Sequence, residues 1–259
     1  MNYVLNNHFV KNKGGVTVIG CGGTGGFVAE GLCRMLTPDI KLMLVDFDRV
    51  EERNLGRQNF VREDLGKVKS EALAHRLSQK YGRAIGYSAV PINMTPVNFS
   101  GLFIGCVDNG KARKDIELKF KSVAGSYQNS NWWWVDAGNG ENFGQVLVGN
   151  SNSAPKYYQN EKGGVFLTLP LPTLQRPDLL AQPPPVRVDC AAIAEQGPTI
   201  NQTMAAITIE VIRRLIAGTC PWVQIYVDME AGTMTPVYAT PETVKVMTRK
   251  KLEKEVFNA

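Results

Sequence analysis

A glycine-rich loop near the N-terminus is the first segment whose residue types indicate chemistry. Residues 20–26, GCGGTGG, follow a short apolar run at 16–19 and precede a segment with apolar residues at helical spacing. Because glycine has no Cβ, backbone N–H groups in such a loop can approach a phosphate closely, and the following helix N-terminus favours the negative charge. This order of strand, loop and helix predicts a nucleotide site that uses Gly20, Gly22, Gly23 and Gly25.

An acidic residue strengthens this interpretation without identifying the nucleotide. Asp46 ends a second predicted strand, residues 41–45, where an acidic side chain in nucleotide-binding α/β folds accepts hydrogen bonds from a ribose. The structural alternative is that the glycines form only a tight turn and that Asp46 only caps a helix. The loop and Asp46 describe a dinucleotide-dependent oxidoreductase equally well, so both nucleotide classes stay open at this point.

Charged residues that a redox coenzyme does not require come next along the chain. Arg57 and Lys69 are expected near the glycine loop at the carboxyl edge of the sheet, where both cations can reach a triphosphate. Asp108 follows the fourth predicted strand at the same edge, and its carboxylate can hold Mg²⁺. The alternatives are solvated surface charges for Arg57 and Lys69 and a helix cap for Asp108.

Four motifs occur in register in this chain. They are G-x-G-G-x-G, then D-x-D with N-L-x-R-Q, then G-x-x-K, and finally D-N-x-x-x-R. In this order and spacing they resemble the family of ThiF, MoeB and ubiquitin-activating enzymes. The resemblance covers residues 16–148 well and residues 190–218 more weakly. It also extends, as a general likeness, to the divergent ThiF-like proteins of PRTRC-type bacterial gene clusters.

The resemblance implies a role for the principal charged side chains. Asp46 would bind the ribose hydroxyls, with Asp48 in the same cofactor-binding set. Arg57 and Lys69 would bind the triphosphate. Asp108 would bind Mg²⁺.

Three further residues of these motifs also receive roles from the resemblance. Asn54 and Gln58 would orient phosphate oxygens, with local hydrogen bonds in a turn as the alternative. Arg113 matches an arginine of the family, and a structural anchor is the favoured interpretation for it.

The reaction implied by the resemblance is ATP-dependent adenylation of a carboxylate. A carboxylate resists nucleophilic attack because of its charge and resonance, and transfer to AMP removes that resistance. An ionised carboxylate attacks the α-phosphorus in line with departing pyrophosphate, which requires positioning and charge neutralisation rather than a general base. The implied acceptor is the C-terminus of a small ubiquitin-like or sulfur-carrier protein. A catalytically silent ThiF-fold binding subunit and an NAD-dependent oxidoreductase are the alternatives.

Cys190 is the candidate for a second, acyl- or sulfur-transferring step. It follows a proline-rich segment, where members of the family often carry such a thiol. Asp189 should raise the pKa of the thiol and no adjacent base or cation lowers it, which favours an inert structural thiol. The chain has five cysteines and no C-x-x-C pair, so the structural zinc of many relatives is not expected.

Alternating strands and helices must position these residues. Strands are predicted at 16–19, 41–45, 84–90, 102–107, 132–136 and 144–148, and helices at 67–81, 111–123 and 199–217. A closing hairpin pairs residues 222–229 with residues 234–239. This order predicts an α/β, Rossmann-like, doubly wound and mostly parallel sheet that antiparallel strands extend.

One domain over residues 1–259 is expected, in three parts. Residues 1–148 form the nucleotide-binding half, and residues 149–190 form a crossover loop whose seven prolines favour an extended surface connection. Residues 191–259 contain a helix, the hairpin and a basic tail.

Composition and charge exclude several classes of protein. The formal charge of +5 is small and scattered, which argues against a nucleic-acid partner. No apolar run reaches the roughly 18 residues of a membrane span, and the N-terminus does not resemble a secretory signal, so a cytoplasmic protein is expected. Dimeric relatives often present an N-terminal arginine to their partner's ATP. Residues 1–15 contain only Lys11 and Lys13 as basic residues, which leaves the homodimer open.

Overall fold

An eight-stranded sheet forms the centre of the computed structural model, which describes residues 3, 14–97, 101–125, 132–153, 155–159, 165–181 and 199–247. Its strands are β1 (Gly15–Ile19), β2 (Lys41–Val45), β3 (Ile85–Ser88), β4 (Gly101–Gly105), β5 (Trp133–Asn139), β6 (Phe143–Gly149), β9 (Trp222–Asp228) and β10 (Thr233–Tyr238). Two short strands, β7 (Tyr157–Gln159) and β8 (Val165–Leu167), pair separately with each other. The order in the large sheet is β10-β9-β6-β5-β4-β1-β2-β3.

The sheet has a parallel half and an antiparallel half. Strands β3, β2, β1, β4 and β5 pair in parallel, and β6, β9 and β10 continue the sheet in antiparallel pairing. The central strand β1 pairs with both β2 and β4, so the chain reverses its winding direction at β1. The expected α/β fold, with a mostly parallel sheet extended by antiparallel strands, is confirmed.

Helices cover both faces of the sheet. They are α1 (Gly23–Met35), α2 (Lys69–Tyr81), α3 (Gly110–Gly125), the single-turn α4 (Pro172–Gln175) and α5 (Ile200–Ala217). Side chains alternate along each strand, and in β4 Leu102 and Ile104 join one apolar core while Phe103 joins the other. Helices α1, α2 and α5 contribute to the first core, and α3 to the second. No helix in the described ranges is long and apolar enough to cross a membrane.

Two element boundaries differ from the prediction in ways that affect the site. Strand β4 ends at Gly105 instead of residue 107, which places Asp108 in a turn above the sheet rather than at a strand tip. Strand β5 continues beyond residue 136 to Asn139, because its last residues pair with β6. This extension carries Asn139 to the carboxyl edge of the sheet.

The crossover segment is more ordered than its proline content indicates. An extended surface connection is expected from residue 149 onward, yet this region contains β7, β8, α4 and a 3₁₀ turn (Pro177–Leu180). Leu167, Leu169 and Leu171 are buried there in the apolar cores. Leu167 and Leu169, two positions apart, pack into one core as residues on one face of a strand do, and Leu171 packs into the other core after Pro170. Residues 182–198 lie outside the described ranges.

Candidate active site

A cleft of about 550 Å³ lies at the carboxyl ends of the parallel strands. In doubly wound sheets, ligands bind at this edge, where the strand order reverses. Most residues predicted for the site line this cleft: Gly20, Gly22, Gly23, Asp46, Asp48, Arg57, Gln58, Lys69 and Asp108. The structure therefore brings the guanidinium of Arg57, the ammonium of Lys69 and the carboxylate of Asp108 around one space.

The glycine loop packs too closely for side chains. Gly20 has a φ of +88°, and a Cβ on it would lie 2.5 Å from the carbonyl oxygen of Cys106. A Cβ on Gly25 would overlap the carbonyl oxygen of Gly20, which explains why Gly25 supports the turn but does not line the cleft. Within the described residues, no side chain caps α1 at Gly22, so its first-turn N–H groups suit an anion from the cleft.

Asp46 connects the end of β2 to the glycine loop. Its Oδ2 accepts a hydrogen bond from the Cys21 N–H at 2.6 Å, and its Oδ1 accepts one from the Asp48 N–H at 2.9 Å. Burial raises the pKa of Asp46 above its usual value, and these two hydrogen bonds oppose that rise. The carboxylate is therefore held in a fixed orientation at the cleft wall.

The loop and helix after β2 carry the predicted phosphate-binding residues. Lys69 begins α2, and its Nζ lies 3.3 Å from Oδ2 of Asp48. Arg57 lies in the preceding turn and is partly exposed. The neighbouring Gln58 side chain is 9% exposed, and its Oε1 has no hydrogen-bond partner among the described residues. A buried acceptor without a partner is unfavourable, so a donor from a bound ligand would stabilise Gln58.

Asp108 is exposed in the turn between β4 and α3. Its Oδ1 accepts a hydrogen bond from Nδ2 of Asn109 at 3.0 Å. The predicted alternative, in which Asp108 caps the helix, is not what this turn shows. Instead, Oδ1 of Asn109 accepts the N–H of Ala112 at 2.8 Å, which is a capping interaction. The Asp108 carboxylate is thereby left at the cleft.

Arg113 has the contacts of the structural anchor that was expected. Its Nε lies 2.9 Å from Oδ2 of the buried Asp136, and its Nη2 donates to the carbonyl oxygen of Val107 at 2.7 Å. Burial raises the pKa of Asp136, and the guanidinium of Arg113 opposes that rise. The ion pair thus fixes the backbone directly before Asp108.

The buried Asn54 has the contacts of the turn-stabilising alternative. Asn54 is buried, does not line the cleft, and its Oδ1 accepts the Glu51 N–H at 2.9 Å. Its carbonyl oxygen accepts the N–H of Gln58 at 2.9 Å, so Asn54 shapes the turn that carries Arg57 and Gln58. Cys190 lies outside the described residues.

An amide network in the cleft was missed by sequence reasoning. Thr24 Oγ1 donates to Oδ1 of Asn139 at 2.9 Å, and Nδ2 of Asn139 donates to Oδ1 of Asn201 at 3.2 Å. Nδ2 of Asn201 in turn donates to the carbonyl oxygen of Arg57 at 3.4 Å. No local motif marks Asn139 or Asn201, because the contacts depend on how β5 and α5 pack against the glycine loop.

The opposite wall of the cleft contains further residues that no motif indicated. Phe143 and Gln145 on β6 line it, together with Arg176 and Leu179 from the crossover segment.

In the described part of the chain, no group of three or more His, Cys, Asp or Glu side chains is arranged to hold a metal ion.

Comparison with known proteins gives this cleft a family context. The model of the ThiF family matches residues 11–216. Ubiquitin-like modifier-activating enzyme 5 of Drosophila grimshawi is 30% identical over 150 residues, which cover 51% of this chain and 36% of that protein. The corresponding enzyme of Dictyostelium discoideum is 29% identical over 157 residues, covering 54% and 39%. The matches thus span less than half the length of these relatives.

Solved structures share the fold. PaaA aligns with a TM-score of 0.59 at 15% identity, over 88% of this chain and 64% of that chain. E. coli MccB with ATP aligns with a TM-score of 0.57 at 18% identity, over the same shares. MccB in complex with N-formylated MccA aligns with a TM-score of 0.59 at 16% identity, over 87% and 64%. Because the family model matches residues 11–216, which is most of the chain, this protein belongs to the ThiF family.

Proposed function

We propose that this protein uses ATP to adenylate a carboxylate, that of the C-terminus of a small ubiquitin-like or sulfur-carrier protein, and releases pyrophosphate. The observation that carries the proposal is the set of groups around one cleft: an uncapped helix N-terminus, Asp46, the cations Arg57 and Lys69, and Asp108. Relatives named as activating enzymes support it, as does MccB, whose fold is shared and which was solved with ATP.

The nucleotide is proposed to lie across the reversal point at β1. Its ribose hydroxyls would donate to the Asp46 carboxylate, whose orientation two backbone N–H groups hold. Its phosphates would lie along the glycine loop at the start of α1. Arg57 and Lys69, from the loop and helix after β2, would bind the outer phosphates, and a ligand donor could satisfy Oε1 of Gln58.

Asp108 would hold Mg²⁺, which supplies positive charge to the phosphate oxygens. The residues fit this ion, because Mg²⁺ in phosphate sites typically uses one or two carboxylates and takes its other ligands from phosphates and water. The exposed carboxylate of Asp108 in a turn anchored by Arg113 provides such a ligand.

The chemistry requires alignment rather than proton transfer. An oxygen of the ionised acceptor carboxylate forms a bond to the α-phosphorus, and the bond from that phosphorus to the bridging oxygen breaks. The electron pair leaves with pyrophosphate, whose negative charge the two cations would stabilise. No residue has to act as a general base.

Several narrower expectations remain predictions. A later transfer to Cys190, a homodimer, a cytoplasmic location and membership of the PRTRC-type group are not tested by the residues described above.

An exchange assay tests the proposal directly. Protein, ATP, Mg²⁺ and small carrier proteins ending in Gly-Gly are mixed with labelled pyrophosphate, and label should enter ATP only when both Mg²⁺ and an acceptor are present. ATP binding without exchange would instead indicate a silent binding subunit. Tight NAD binding with no response to Mg²⁺ would indicate an oxidoreductase.

A further inference from the structure

Arg176 is a cation of the cleft to which the proposed nucleotide contacts assign no ligand. It directly follows α4 and lines the cleft. Lys69 begins α2 after β2, and three strands separate β2 from β6 in the sheet. Arg176 contacts Tyr226 of β9, the strand on the far side of β6. Binding of the outer phosphates by Arg57 and Lys69 does not use Arg176.

Contacts with β9 and the crossover segment hold the Arg176 guanidinium in place. Nε and Nη2 donate to the two carboxylate oxygens of Asp178 at 2.8 and 2.6 Å, and Nη1 donates to the Tyr226 hydroxyl at 3.4 Å. That hydroxyl donates to Oε1 of Gln224, whose Nε2 donates to Oε1 of Gln175 at 2.9 Å. A chain of hydrogen bonds thus orients a guanidinium that is one-third exposed.

The donors of Arg176 are not all used by these contacts. A guanidinium carries five N–H groups, and the hydrogen bonds within the described residues use three of them. The two that remain are on the neighbouring nitrogens Nη1 and Nη2. Guanidinium N–H groups bind carboxylate oxygens in a strong and directional interaction.

The surrounding wall offers groups that can bind a polypeptide. Phe143 is 60% exposed and lines the cleft, so its ring offers an apolar surface to a chain that enters it. Gln145 is 9% exposed and lines the cleft beside Gly138, and its amide can hydrogen-bond a peptide group. Together with the guanidinium of Arg176, the ring and the amide can contact a peptide tail that ends in a carboxylate.

We propose that Arg176 binds the acceptor carboxylate and that the acceptor is a polypeptide C-terminus whose last residues lie along Phe143 and Gln145. This inference rests on the proposed adenylation. An anionic nucleophile must be held close to an anionic triphosphate, and the remaining N–H groups of the guanidinium, which Asp178 keeps in place, would hold it by hydrogen bonds. Because the carboxylate loses its charge as its oxygen bonds to phosphorus, Arg176 acts mainly on acceptor binding, and so on the acceptor KM more than on kcat.

The test compares Arg176→Gln with Arg213→Gln in the exchange assay. Arg213 forms the same two-bond pair, with Glu210 on α5, and does not line the cleft, so it is a matched control. The acceptor probes are a decapeptide ending in a free Gly-Gly carboxylate, the same peptide as its C-terminal amide, and acetate. Arg176→Gln should raise the KM of the peptide acid by about 10- to 100-fold while the KM of ATP changes less than about twofold. The control variant should match the wild type, and the amide should support no exchange.

Specific outcomes would overturn this assignment. An unchanged peptide KM in Arg176→Gln, or an equal rise in the KM of ATP, would remove Arg176 from acceptor binding and leave the proposed function intact. Acetate as effective as the peptide would exclude a polypeptide acceptor. Absence of exchange by the wild type with every peptide and carrier protein would instead overturn the adenylation itself. If Arg176→Gln lowers Tm, Arg176→Lys tests the same point, because it keeps the charge but loses the paired donors and should give an intermediate KM.

Discussion

The two walls of the cleft are built in different ways. On the wall formed by the glycine loop, the predicted side chains come from the segments after β2 and β4, as Asp46 follows β2 and Asp108 follows β4. On the opposite wall, Gln145 comes from β6 and Arg176 directly follows α4 in the crossover segment. The first wall is therefore a product of local sequence, and the second is a product of long-range packing.

The contacts within the cleft differ in the same way, because some join residues that are close in sequence and others join distant segments. The hydrogen bond from Cys21 to Asp46 joins residues 25 positions apart, whereas Thr24 reaches Asn201 across 177 positions. Phosphate and metal chemistry needs a few side chain types at the edge of a parallel sheet, which short motifs can encode. Shape and acceptor recognition depend on where distant segments pack, and the following variants can contradict or sharpen that division.

Asp108→Ala should have the largest effect, since it removes the proposed Mg²⁺ ligand. We expect pyrophosphate exchange to fall about 1000-fold, because stabilisation of developing phosphate charge is typically the largest contribution to such catalysis. Tm should stay near that of the wild type, as the side chain is exposed. Glu63→Ala, at an exposed acidic residue outside the cleft, is the control. Undiminished exchange in Asp108→Ala would contradict the assignment of Asp108 as the Mg²⁺ ligand.

Lys69→Met should reduce pyrophosphate exchange by about 100-fold, and the KM of ATP should rise more than kcat falls. The ammonium lies against Asp48 at the cleft, whereas Lys67, two residues earlier, is exposed and does not line the cleft. Lys67→Met is thus a control of identical chemistry and should keep full exchange. Equal losses in both variants would mean that general surface charge, and not the cleft, attracts the nucleotide.

The two walls also differ in how far the sequence predicts them. The glycine loop, Asp46, Arg57, Lys69 and Asp108 could be placed at one sheet edge because each follows a strand that apolar patterning reveals. Two roles stayed open for Asn54, because an asparagine in this motif can bind a ligand or stabilise its own turn. Its hydrogen bonds with Glu51 and Gln58 are those of the turn. Antiparallel strands were predicted to extend the sheet beyond β5, but the order of β6, β9 and β10 was not predicted.

The buried leucines of the crossover segment show why the second wall was not foreseen. Pro170 lies between two of these leucines. The proline content of the segment predicted an extended surface connection, whereas the spacing of the leucines indicates buried positions. Arg176 follows directly, in a segment without a motif, and its position depends on Tyr226 from a strand 50 residues later.

Asn201→Ala tests whether the two halves depend on each other. Asn201 is fully buried and hydrogen-bonded to Thr24, Asn139 and the backbone of Arg57, so its loss should lower the free energy of unfolding by about 1–3 kcal/mol. Urea unfolding measures this, with the exposed Asn142→Ala as the control.

A second variant makes this test more specific. A Cβ on Gly23 would overlap the Asn201 side chain amide, so Gly23→Ala alone should destabilise the fold. In the double variant, Asn201→Ala opens space for that methyl group. The combined loss should be smaller than the sum of the two single losses. Strict additivity would mean that the glycine loop and α5 do not restrain each other.

Glu30→Gln, outside the cleft, should have the smallest effect. Partial burial raises the pKa of Glu30, but hydrogen bonds from Lys80, Arg34, Tyr81 and Asn59 outweigh it and lower the pKa to about 2. Its stabilising effect is therefore present above the usual pKa near 4.5 and is lost as pH falls toward 2. We expect a loss of about 1–2 kcal/mol at pH 7, after allowance for solvent screening.

The pH dependence provides the check for Glu30. Urea unfolding at pH 7 should separate Glu30→Gln from the wild type, and the difference should shrink as the pH falls below 4.5 and vanish near pH 2. Pyrophosphate exchange at saturating substrate should not change. A decrease in exchange would show that α1 transmits strain from its C-terminal half to the glycine loop.

The contact between Asn201 and the glycine loop has a consequence for how the protein is made. During synthesis, residues 1–148 leave the ribosome long before α5. The hydrogen bonds from Asn201 to Thr24 of the glycine loop and to the Arg57 backbone can form only after α5 has been translated. Strand β6 likewise keeps an unpaired edge until β9 has been translated. We therefore expect residues 1–148 alone to bind the proposed nucleotide poorly. A split version of this protein should bind it only when its two pieces reassemble.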